Sequence, residues 1–463
     1  MFHETIIAPA TPVACSALAV LRMTGSQSVF ISDKLLQLFS GKLLKNSASR
    51  TLHLAHLVDP SQKQEKIDEL MVVKFLAPNS YTGEDLVEFH CHGSPVIVDF
   101  ILEKTVELGA SLAEPGEFTK RAFLLGKKDL MQAEAVADLI HSKSRSAAQR
   151  LVRQVGGDLS LRVRSAKDSL ESLLLYLEAE LDFSQEQIDF LSQNVYSEKL
   201  SKIISDLEAL EASFKRSKSL SNDITLVFAG KPNVGKSSLF NAFLRKNRAI
   251  VSNVPGTTRD VVDAAIVFAD RCVRLVDTAG LRETVDSVEK IGVQKTSEEV
   301  KKADVIFFVL SGSSFEEEDR VLWGKTLAEK SSGQRLFVLV NKKDCLQEDI
   351  AKSIQKMVAP FEPFFVSALN WDSLFELEEK LKFELRKDLS FDEDVFMLNQ
   401  RQIDFVKEAL TSLREALDLT LDFHQEILVT FLKEALESLS ALLGEEYDKD
   451  ILKKFFANFC IGK

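Results

Sequence analysis

The sequence GKPNVGKS at residues 230–237 decides the fold, because it fits the phosphate-binding pattern G-x-x-x-x-G-K-S in full. An apolar run at 224–229 precedes it and a helix-forming run at 238–244 follows it. The glycines let backbone N–H groups close around a phosphate at the start of a helix. Lys236 can reach the terminal phosphates and Ser237 can hold Mg2+. A glycine turn in front of an ordinary helix is the alternative, but the strand, the lysine and the serine together favour a nucleotide-binding loop.

Three further motifs narrow the nucleotide to GTP. Each follows an apolar strand: DTAG at 277–280, NKKD at 341–344 and SAL at 367–369. Asp277 at a strand end can hold a Mg2+ water, and SAL matches the loop that closes over the base. The Asp344 carboxylate can accept both the N1–H and the exocyclic amine of guanine, whereas adenine offers no matching pair of donors. In an ATPase or a small-molecule kinase the NKKD motif would have no donor pair to bind, so guanine specificity is predicted.

The composition predicts a multidomain protein of the cytoplasm. At 463 residues the chain is too long for one core, and two to four domains are expected. No stretch resembles a signal peptide or reaches membrane-spanning length, and the five cysteines stand singly, as in a reducing compartment. The net charge of −12 argues against a protein that coats nucleic acid indiscriminately, though not against a local basic site.

One basic stretch runs from 141 to 170 and is predicted to be helical, with a break near Gly156 and Gly157. A solvated helix face and an RNA phosphate-binding surface are both compatible with it. Seven basic residues stand there against two acids, namely Lys143, Arg145, Arg150, Arg153, Arg162, Arg164 and Lys167 against Asp158 and Asp168.

The periodicity of apolar residues divides the chain into segments. Residues 1 to about 120 mix short apolar runs with turn signals, as in an α+β domain. The segments 121–217 and 395–463 carry helical i, i+3, i+4 spacing. Between them, strand sequences on a parallel-sheet plan recur within about 218–383. A helical unit split by an inserted nucleotide-binding domain is therefore predicted.

Two local patterns limit the chemistry. Leu281 stands where signalling GTPases place the glutamine that orients the attacking water, so another group must do so, and Glu283, Asp286 and Glu289 are the candidates.

The run 90–93, HCHG, suggests a metal site at first sight. On a strand its two histidines share one face while the cysteine points away, and no further ligand cluster is visible, so no metal site is predicted there.

The whole chain resembles the MnmE (TrmE) family of tRNA modification GTPases. The resemblance rests on five motifs: GTTRD at 256–260, DTAGLRE at 277–283, NSYTGED at 79–85, PGEFT at 115–119 and FCIGK at 459–463. The last three lie outside the GTPase domain, and they separate this family from other GTPases with a similar P-loop.

The resemblance implies a fold and a function. The expected parts are an N-terminal folate-binding and dimerisation domain (1–120), a helical domain in two pieces (121–217 and 384–463) and an inserted Ras-like G domain (218–383). The expected activity is K+-dependent GTP hydrolysis. The expected product, made with the FAD-dependent partner MnmG, carries a carboxymethylaminomethyl or aminomethyl group on C5 of wobble uridine U34 in tRNA. The carbon donor would be 5,10-methylenetetrahydrofolate, with 5-formyltetrahydrofolate as its analogue, and the assembly a homodimer that joins MnmG in a heterotetramer.

The resemblance also implies site residues. Glu289 would be the catalytic acid, Ser237 and Thr258 would ligate Mg2+, and the K+ ligands would be Asn233, Ser252, Val254 and Thr257. Folate would be bound by Arg22, Glu88, Lys127 and Lys463. With the motifs above, the GTP site comprises Asn233, Val234, Gly235, Lys236, Ser237, Ser238, Ser252, Asn253, Val254, Pro255, Gly256, Thr257, Thr258, Asp277, Thr278, Ala279, Gly280, Asn341, Lys342, Asp344, Ser367 and Ala368.

Three points stay open in the sequence. Cys460 is either a buried structural thiol or a nucleophile of the modification reaction, with Lys463 favouring its thiolate. The segment 12–18, PVACSAL, departs from the glycine-rich turn usual in the family. A GTP-switched assembly factor, for example for ribosomes, is the alternative function, and both the FCIGK end and the folate-type N-terminal motifs favour the tRNA-modifying enzyme.

Overall fold

The computed structural model describes most of the chain. The described residues are 4–62, 65–142, 144–182, 193–221, 224–246, 263–277, 298–331, 333–386, 395–419, 425–445, 456–457, 459 and 461–462. Within these residues no helix combines the length and the apolar character that crossing a membrane requires.

The N-terminal part is built on a seven-stranded sheet. Its strands are β1 (Ile6–Pro9), β2 (Ser16–Thr24), β3 (Leu36–Leu38), β4 (His53–Asp59), β5 (Glu65–Phe75), β6 (Leu86–Gly93) and β7 (Ser111–Leu112). They lie in the order β3-β4-β5-β6-β2-β1-β7, and all neighbours are antiparallel except β1 and β7. Such a mixed sheet agrees with the predicted α+β domain.

One face of this sheet is covered by helices. Helices α1 (Ser28–Leu35) and α2 (Pro95–Glu107) cover this face, whereas Phe118 of α3 (Glu117–Leu124) packs with residues of β1 on the other face. Leu21 and Met23 of β2 pack in one apolar core with Ile31 of α1 and Val98 of α2. Because successive side chains of a strand point to opposite faces, Arg22 faces the other side of the sheet.

Four helices follow, as the sequence predicted for this segment. They are α4 (Leu130–His141), α5 (Arg145–Gly156), α6 (Asp158–Asp182) and α7 (Gln193–Ser221). The predicted break falls between α5 and α6, where Gly157 has a φ of +102°, a conformation that residues with a side chain rarely adopt. On α6 the predicted apolar stripe is buried at Leu170, Leu173 and Leu177.

The nucleotide-binding part is built on a second, mostly parallel sheet. Its strands are β8 (Ile224–Ala229), β9 (Asp263–Phe268), β10 (Arg271–Asp277), β11 (Val305–Ser311), β12 (Arg335–Asn341) and β13 (Pro363–Phe365). They lie in the order β13-β12-β11-β8-β10-β9, and only β9 runs antiparallel to its neighbour.

Helices cover both faces of this second sheet, so its central strands are buried on both sides. The helices are α8 (Lys236–Lys246), α9 (Glu317–Glu329), α10 (Glu348–Val358) and α11 (Phe375–Arg386). Residues of α8 and α11 pack with Phe228 and Phe307 in one core, and residues of α9 and α10 pack with Phe308 in the other. Two-sided burial explains the near-continuous apolar sequence of β11.

Two C-terminal helices, α12 (Gln400–Leu419) and α13 (Gln425–Leu443), return to the helical part. The α13 helix packs on α6 and on α12. At the start of α12, Arg401 donates to both carboxylate oxygens of Glu134 on α4, at 2.6 and 2.9 Å. This contact joins residues from the two pieces of the helical sequence.

Contacts divide the chain into two compact units. One comprises Met1–His141, Leu151–Glu211 and Leu398–Lys463, and the other comprises Ser142–Arg150 and Ala212–Met397. The nucleotide-binding sheet belongs to the second unit, which interrupts the first along the chain. The prediction of an inserted nucleotide-binding domain is confirmed.

Candidate functional site

The phosphate-binding loop between β8 and α8 requires glycine at two positions. Gly230 has a φ of +142°, and a Cβ there would lie 2.3 Å from the carbonyl oxygen of Val309. Gly235 has a φ of +96°, and a Cβ there would lie 2.1 Å from Nδ2 of Asn341. Any side chain at these two positions would push the loop away from its neighbours. Because both residues are glycine, the backbone N–H groups of the loop stay close to the edge of the sheet.

The other motifs lie at the same edge of the sheet. The parallel strands β8, β10 and β12 end at Ala229, Asp277 and Asn341. Because parallel strands present their carboxyl ends together, the phosphate loop, the aspartate and the NKKD motif meet at one edge, where α/β sheets bind ligands. The Asp277 side chain is buried there.

Asn341 connects the loops of this edge. Its side chain is 2% exposed. Its Nδ2 donates to the carbonyl oxygen of Val234 at 2.9 Å, and its Oδ1 accepts from the backbone N–H of Ala368 at 3.1 Å. One buried amide thus joins the phosphate loop to the SAL loop, with both of its polar ends satisfied.

The predicted guanine acceptor, Asp344, is held by the SAL loop. Ser367 Oγ donates to Asp344 Oδ1 at 2.8 Å, and this hydrogen bond, followed by others, holds the pKa of Asp344 below its ordinary value. The carboxylate is therefore ionised at neutral pH and accepts hydrogen bonds only. Lys342 adopts a left-handed backbone conformation with a φ of +62°, which turns the chain between Asn341 and Asp344.

The remaining described residues of the P-loop have distinct environments. Lys236 is buried, and its Nζ donates to the carbonyl oxygens of Gly230 and Lys231 at 2.9 and 2.7 Å. Ser237 and Ser238 are exposed in the first turn of α8. Exposed hydroxyls and backbone N–H groups at a helix start suit phosphate oxygens and their Mg2+ ion.

Many predicted residues lie outside the described part of the chain. They are Ser252, Asn253, Val254, Pro255, Gly256, Thr257, Thr258, Thr278, Ala279, Gly280 and Glu289 of the GTP site, together with Cys460 and Lys463. Of the predicted K+ ligands, Asn233 alone is described, exposed and with a φ of +63°.

Arg22 and Glu88, predicted for folate, lie together on adjacent strands. Arg22 donates from Nε and Nη2 to Oε1 of Glu88, at 3.0 and 2.8 Å. Its guanidinium lies 5.4 Å from the ring centroid of Tyr81 and 6.0 Å from that of Phe118. Buried Nη1 of Arg22 has no hydrogen-bond partner among the described residues, and buried Nε2 of His90 has none either, although it lies 3.5 Å from Oε2 of Glu88. A polar ligand would satisfy them, so the pair fits a ligand site.

Lys127, also predicted for folate, lies beside the segment 79–85, and Tyr81 of that segment contacts Arg22. It is exposed beyond the end of α3, and its Cγ lies 3.1 Å from the point that a Cβ on Gly83 would occupy. Gly83 and Tyr81 belong to the same segment, 79–85, whose tyrosine lies over Arg22.

The C-terminal residues pack beside the same strands. A Cβ on Gly462 would lie 2.2 Å from the carbonyl oxygen of Pro9 in β1. Pro9 follows Ala8, which pairs with Arg22 across β1 and β2. Phe459 is buried with Phe123 of α3 and its neighbours. Gly462 therefore lies beside β1, the strand next to the one that carries Arg22.

The sequence analysis missed Tyr81 and Phe118 as site residues. Both stand inside the motifs NSYTGED and PGEFT, and that was the available signal. In the run 90–93, Cys91 is buried in the apolar core.

The basic stretch is partly neutralised by ion pairs. Arg153 pairs with Asp158 at 2.9 Å, and Lys167 pairs with Glu171 and Glu445 at 2.7 and 2.8 Å. Arg164 also contacts Glu445, at 3.3 Å. At least three of the seven basic residues thus have acidic partners, and both interpretations of the stretch stay predictions.

Comparison with known proteins covers the whole chain. The family model described as GTP-binding protein TrmE N-terminus matches residues 5–127, and the MnmE helical domain matches residues 130–460. A protein of Carboxydothermus hydrogenoformans is 37% identical over 469 residues, and one of Aquifex aeolicus is 38% identical over 464 residues. Each alignment covers 100% of both chains, and each relative is named tRNA modification GTPase MnmE.

A solved structure, Aquifex aeolicus Era bound to GDP.AlF4-, covers 41% of this chain and 66% of its own at 26% identity, with a TM-score of 0.28. At that TM-score the likeness adds nothing to the assignment. The two family models and the full-length relatives suffice for it. The chain belongs to the MnmE (TrmE) family of tRNA modification GTPases.

Proposed function

We propose that this protein is a GTP hydrolase that acts in the modification of tRNA. The observation that carries the GTPase assignment is the edge of the second sheet, where Asn341 holds the phosphate loop and the SAL loop together. The ionised Asp344 beside it supplies the acceptor that guanine needs. The tRNA assignment rests on membership in the family.

Phosphates and Mg2+ are bound at the start of α8. The close approach of Gly230 and Gly235 to their neighbours fits a phosphate-binding loop, whose backbone N–H groups would contact phosphate oxygens, and Lys236 supplies a positive charge. Ser237 and Thr258 would ligate Mg2+, and Asp277 would accept from a water bound to it. When bound, Mg2+ neutralises charge that develops on the phosphates.

Hydrolysis depends on K+ and on Glu289. The K+ ligands are Asn233, Ser252, Val254 and Thr257, and the ion would place a positive charge beside the β- and γ-phosphates. Support for this comes from Leu281, since a leucine at that position cannot orient water by hydrogen bonding. Glu289 orients the water instead, through an intermediary.

Folate is bound in the N-terminal domain by Arg22, Glu88, Lys127 and Lys463, with the aromatic ring of Tyr81 close to the guanidinium. The unsatisfied Nη1 of Arg22 supports this proposal, because a buried donor favours a ligand with an acceptor. The folate is 5,10-methylenetetrahydrofolate, which supplies the one-carbon group for C5 of wobble uridine U34.

The assembly is a homodimer formed through residues 1–120, which joins the FAD-dependent MnmG in a heterotetramer in the cytoplasm. The G domain spans 218–383, and the helical domain consists of 121–217 and 384–463. Cys460 is the candidate nucleophile of the modification.

Mass analysis of wobble uridines in cells that lack this protein tests the proposal. We expect the carboxymethylaminomethyl and aminomethyl groups to disappear from U34, and to return when the wild-type gene is restored but not with Asp344→Asn. Normal U34 together with altered ribosome profiles would instead assign the protein to the assembly factors.

A further inference from the structure

A cavity of about 570 Å3 lies in the N-terminal domain, beside α1. Its apolar wall is formed by Val29, Phe30, Leu43 and Leu76. A volume of this size accommodates a small organic molecule. Nothing in the proposed GTP or folate sites uses these residues.

The cavity lies on the other face of the sheet from Arg22 and Glu88. It is lined by Lys74 of β5. On that strand Val72 packs in the core beneath α1 and α2, whereas Val73 stands in register with Glu88. Side chains alternate along a strand, so Lys74 shares the face of Val72 and the Arg22–Glu88 pair lies on the opposite face.

Lys74 is an unusual wall residue because it is 2% exposed. Its ammonium carries three N–H donors. Among the described residues, the ammonium donates one hydrogen bond, to the carbonyl oxygen of Lys45 at 2.7 Å. Burial lowers the pKa of Lys74, and the charges of Asp33 and Asp85 oppose that change. A buried cation is costly unless anions compensate it, and Asp33 and Asp85 supply part of that compensation.

The two aspartates of the wall are engaged elsewhere. The Asp33 carboxylate accepts from the backbone N–H groups of residues 44 and 45. Oδ1 of Asp85 accepts from the backbone N–H of Ala77 at 2.8 Å. Both carboxylates therefore shape the wall, with part of their acceptor capacity taken up by backbone N–H groups.

The other cations of the wall are Lys34 and Lys45, which are exposed. Lys34 Nζ lies 5.2 Å from the ring centroid of Phe30, so positive charge and apolar surface stand side by side at the wall. Such an arrangement favours an anion that also carries an apolar part.

We propose that this cavity binds a small organic carboxylate, whose anionic head contacts Lys74 and whose apolar body lies against Phe30, Leu43 and Leu76. The residues that line this cavity differ from those of the proposed GTP and folate sites.

Titration calorimetry of the full-length protein with 1-naphthoate tests this proposal. The uncharged amide, 1-naphthamide, has nearly the same shape and serves as the matched ligand. We expect one naphthoate per chain and much weaker binding of the amide. In Lys74→Met, which keeps the apolar stem and removes the charge, naphthoate affinity should fall at least about tenfold, because a charge-assisted hydrogen bond is lost. Binding of the amide should not change.

The control is Lys104→Met on α2, which removes a lysine that pairs with Glu107 at 2.9 Å and lies outside the cavity wall. It should bind naphthoate as the wild type does. GTP hydrolysis and thermal unfolding confirm that each variant is folded. If Lys74→Met does not fold, Leu43→Trp serves as the test variant. Its larger side chain should fill the cavity and abolish the binding of naphthoate. Equal naphthoate affinity in wild type and Lys74→Met, unchanged binding in Leu43→Trp, or no binding to the wild type would overturn the proposal.

Discussion

At the scale of single residues, Asn341 shows how the nucleotide site depends on one buried amide. Its two hydrogen bonds, to Val234 and to Ala368, come from loops that lie 107 and 27 positions away along the chain. Leaving either of these backbone groups unpaired would cost about 1–3 kcal/mol. The P-loop and the SAL loop are thus joined by the same side chain.

Exchanging the carboxylate of Asp344 for an amide should change base preference. In Asp344→Asn, Nδ2 donates where the carboxylate accepted, so the N1–H and amine of guanine lose their acceptor and xanthine becomes the better ligand. We expect GTP affinity to fall about 100-fold or more, since hydrogen bonds to charged groups contribute about 1.5–3 kcal/mol each. Fluorescence titration with labelled GTP and XTP measures both affinities.

The matched control is Asp349→Asn, which removes an exposed carboxylate in the first turn of α10, away from the NKKD motif. It should bind GTP as the wild type does. If Asp344→Asn also keeps its GTP affinity, Asp344 is not part of the base site.

Much of the candidate nucleotide site could be proposed from the sequence at this scale, because its motifs are contiguous and each follows an apolar strand. The identities of Lys236, Asp277 and Asp344 follow from spacing alone. What Asn341 bonds to could not be predicted, since Val234 is remote in sequence and side-chain amide geometry leaves no periodic signal.

At the scale of elements, Arg401 connects three helices of the helical part. It pairs with Glu134 of α4, and its Nη1 and Nη2 donate to the carbonyl oxygens of Ala441 and Leu442 at the end of α13, at 3.2 and 3.3 Å. Gln402 also donates to Glu134. The final carbonyls of α13 thus find donors that the helix itself cannot supply.

Arg401→Met should destabilise the protein strongly. Glu134 is 3% exposed, so removal of its partner leaves a buried charge, which costs about 3–5 kcal/mol. Urea unfolding followed by circular dichroism measures the loss. The control is Arg414→Met, because Arg414 pairs with Glu208 at 2.6 Å but both side chains are about half exposed. A surface pair of this kind contributes about 1 kcal/mol or less. Equal losses in the two variants would contradict the burial argument.

The elements themselves were predictable where local patterns are strong. The stripe of leucines in α6 and the break at Gly157 appear in the sequence as periodicity and as paired glycines. The Arg401–Glu134 pair could not be predicted, because its members are 267 positions apart and any exposed arginine has the same local appearance. For the same reason the places of Tyr81 and Phe118 beside Arg22 came from the structure.

At the scale of the whole molecule, the described residues of the proposed GTP site and of the proposed folate site belong to separate compact units. The residues of the phosphate-binding loop lie in the second unit, whereas Arg22, Glu88 and Gly462 lie in the first. The two activities should therefore respond to different perturbations.

Potassium should be needed for GTP turnover by this protein. Because Leu281 cannot orient the water, we expect hydrolysis to be stimulated by K+ and much less by Na+, whose shorter ligand distances fit the predicted ion site poorly. Phosphate release measured in KCl and in NaCl at constant ionic strength tests this expectation. Glu289→Ala should lose turnover in both salts but retain GTP binding, since it acts on water and not on the nucleotide. Equal rates in the two salts would rule out the K+ mechanism.

Removal of residues 460–463 should separate the two activities. Phe459 remains in such a variant, so the buried aromatic contact with α3 is kept, while the contact of Gly462 with Pro9 and the groups of Cys460 and Lys463 are lost. We expect K+-stimulated hydrolysis of GTP to stay near the wild-type rate, because the phosphate chemistry belongs to the other unit, and wobble-uridine modification to disappear. Mass analysis of tRNA and a phosphate-release assay, with circular dichroism as the check on folding, measure the two outcomes. Normal uridine modification would show that Cys460 and Lys463 do not have their proposed roles. Loss of GTP hydrolysis in a folded variant would show that the two activities cannot be separated.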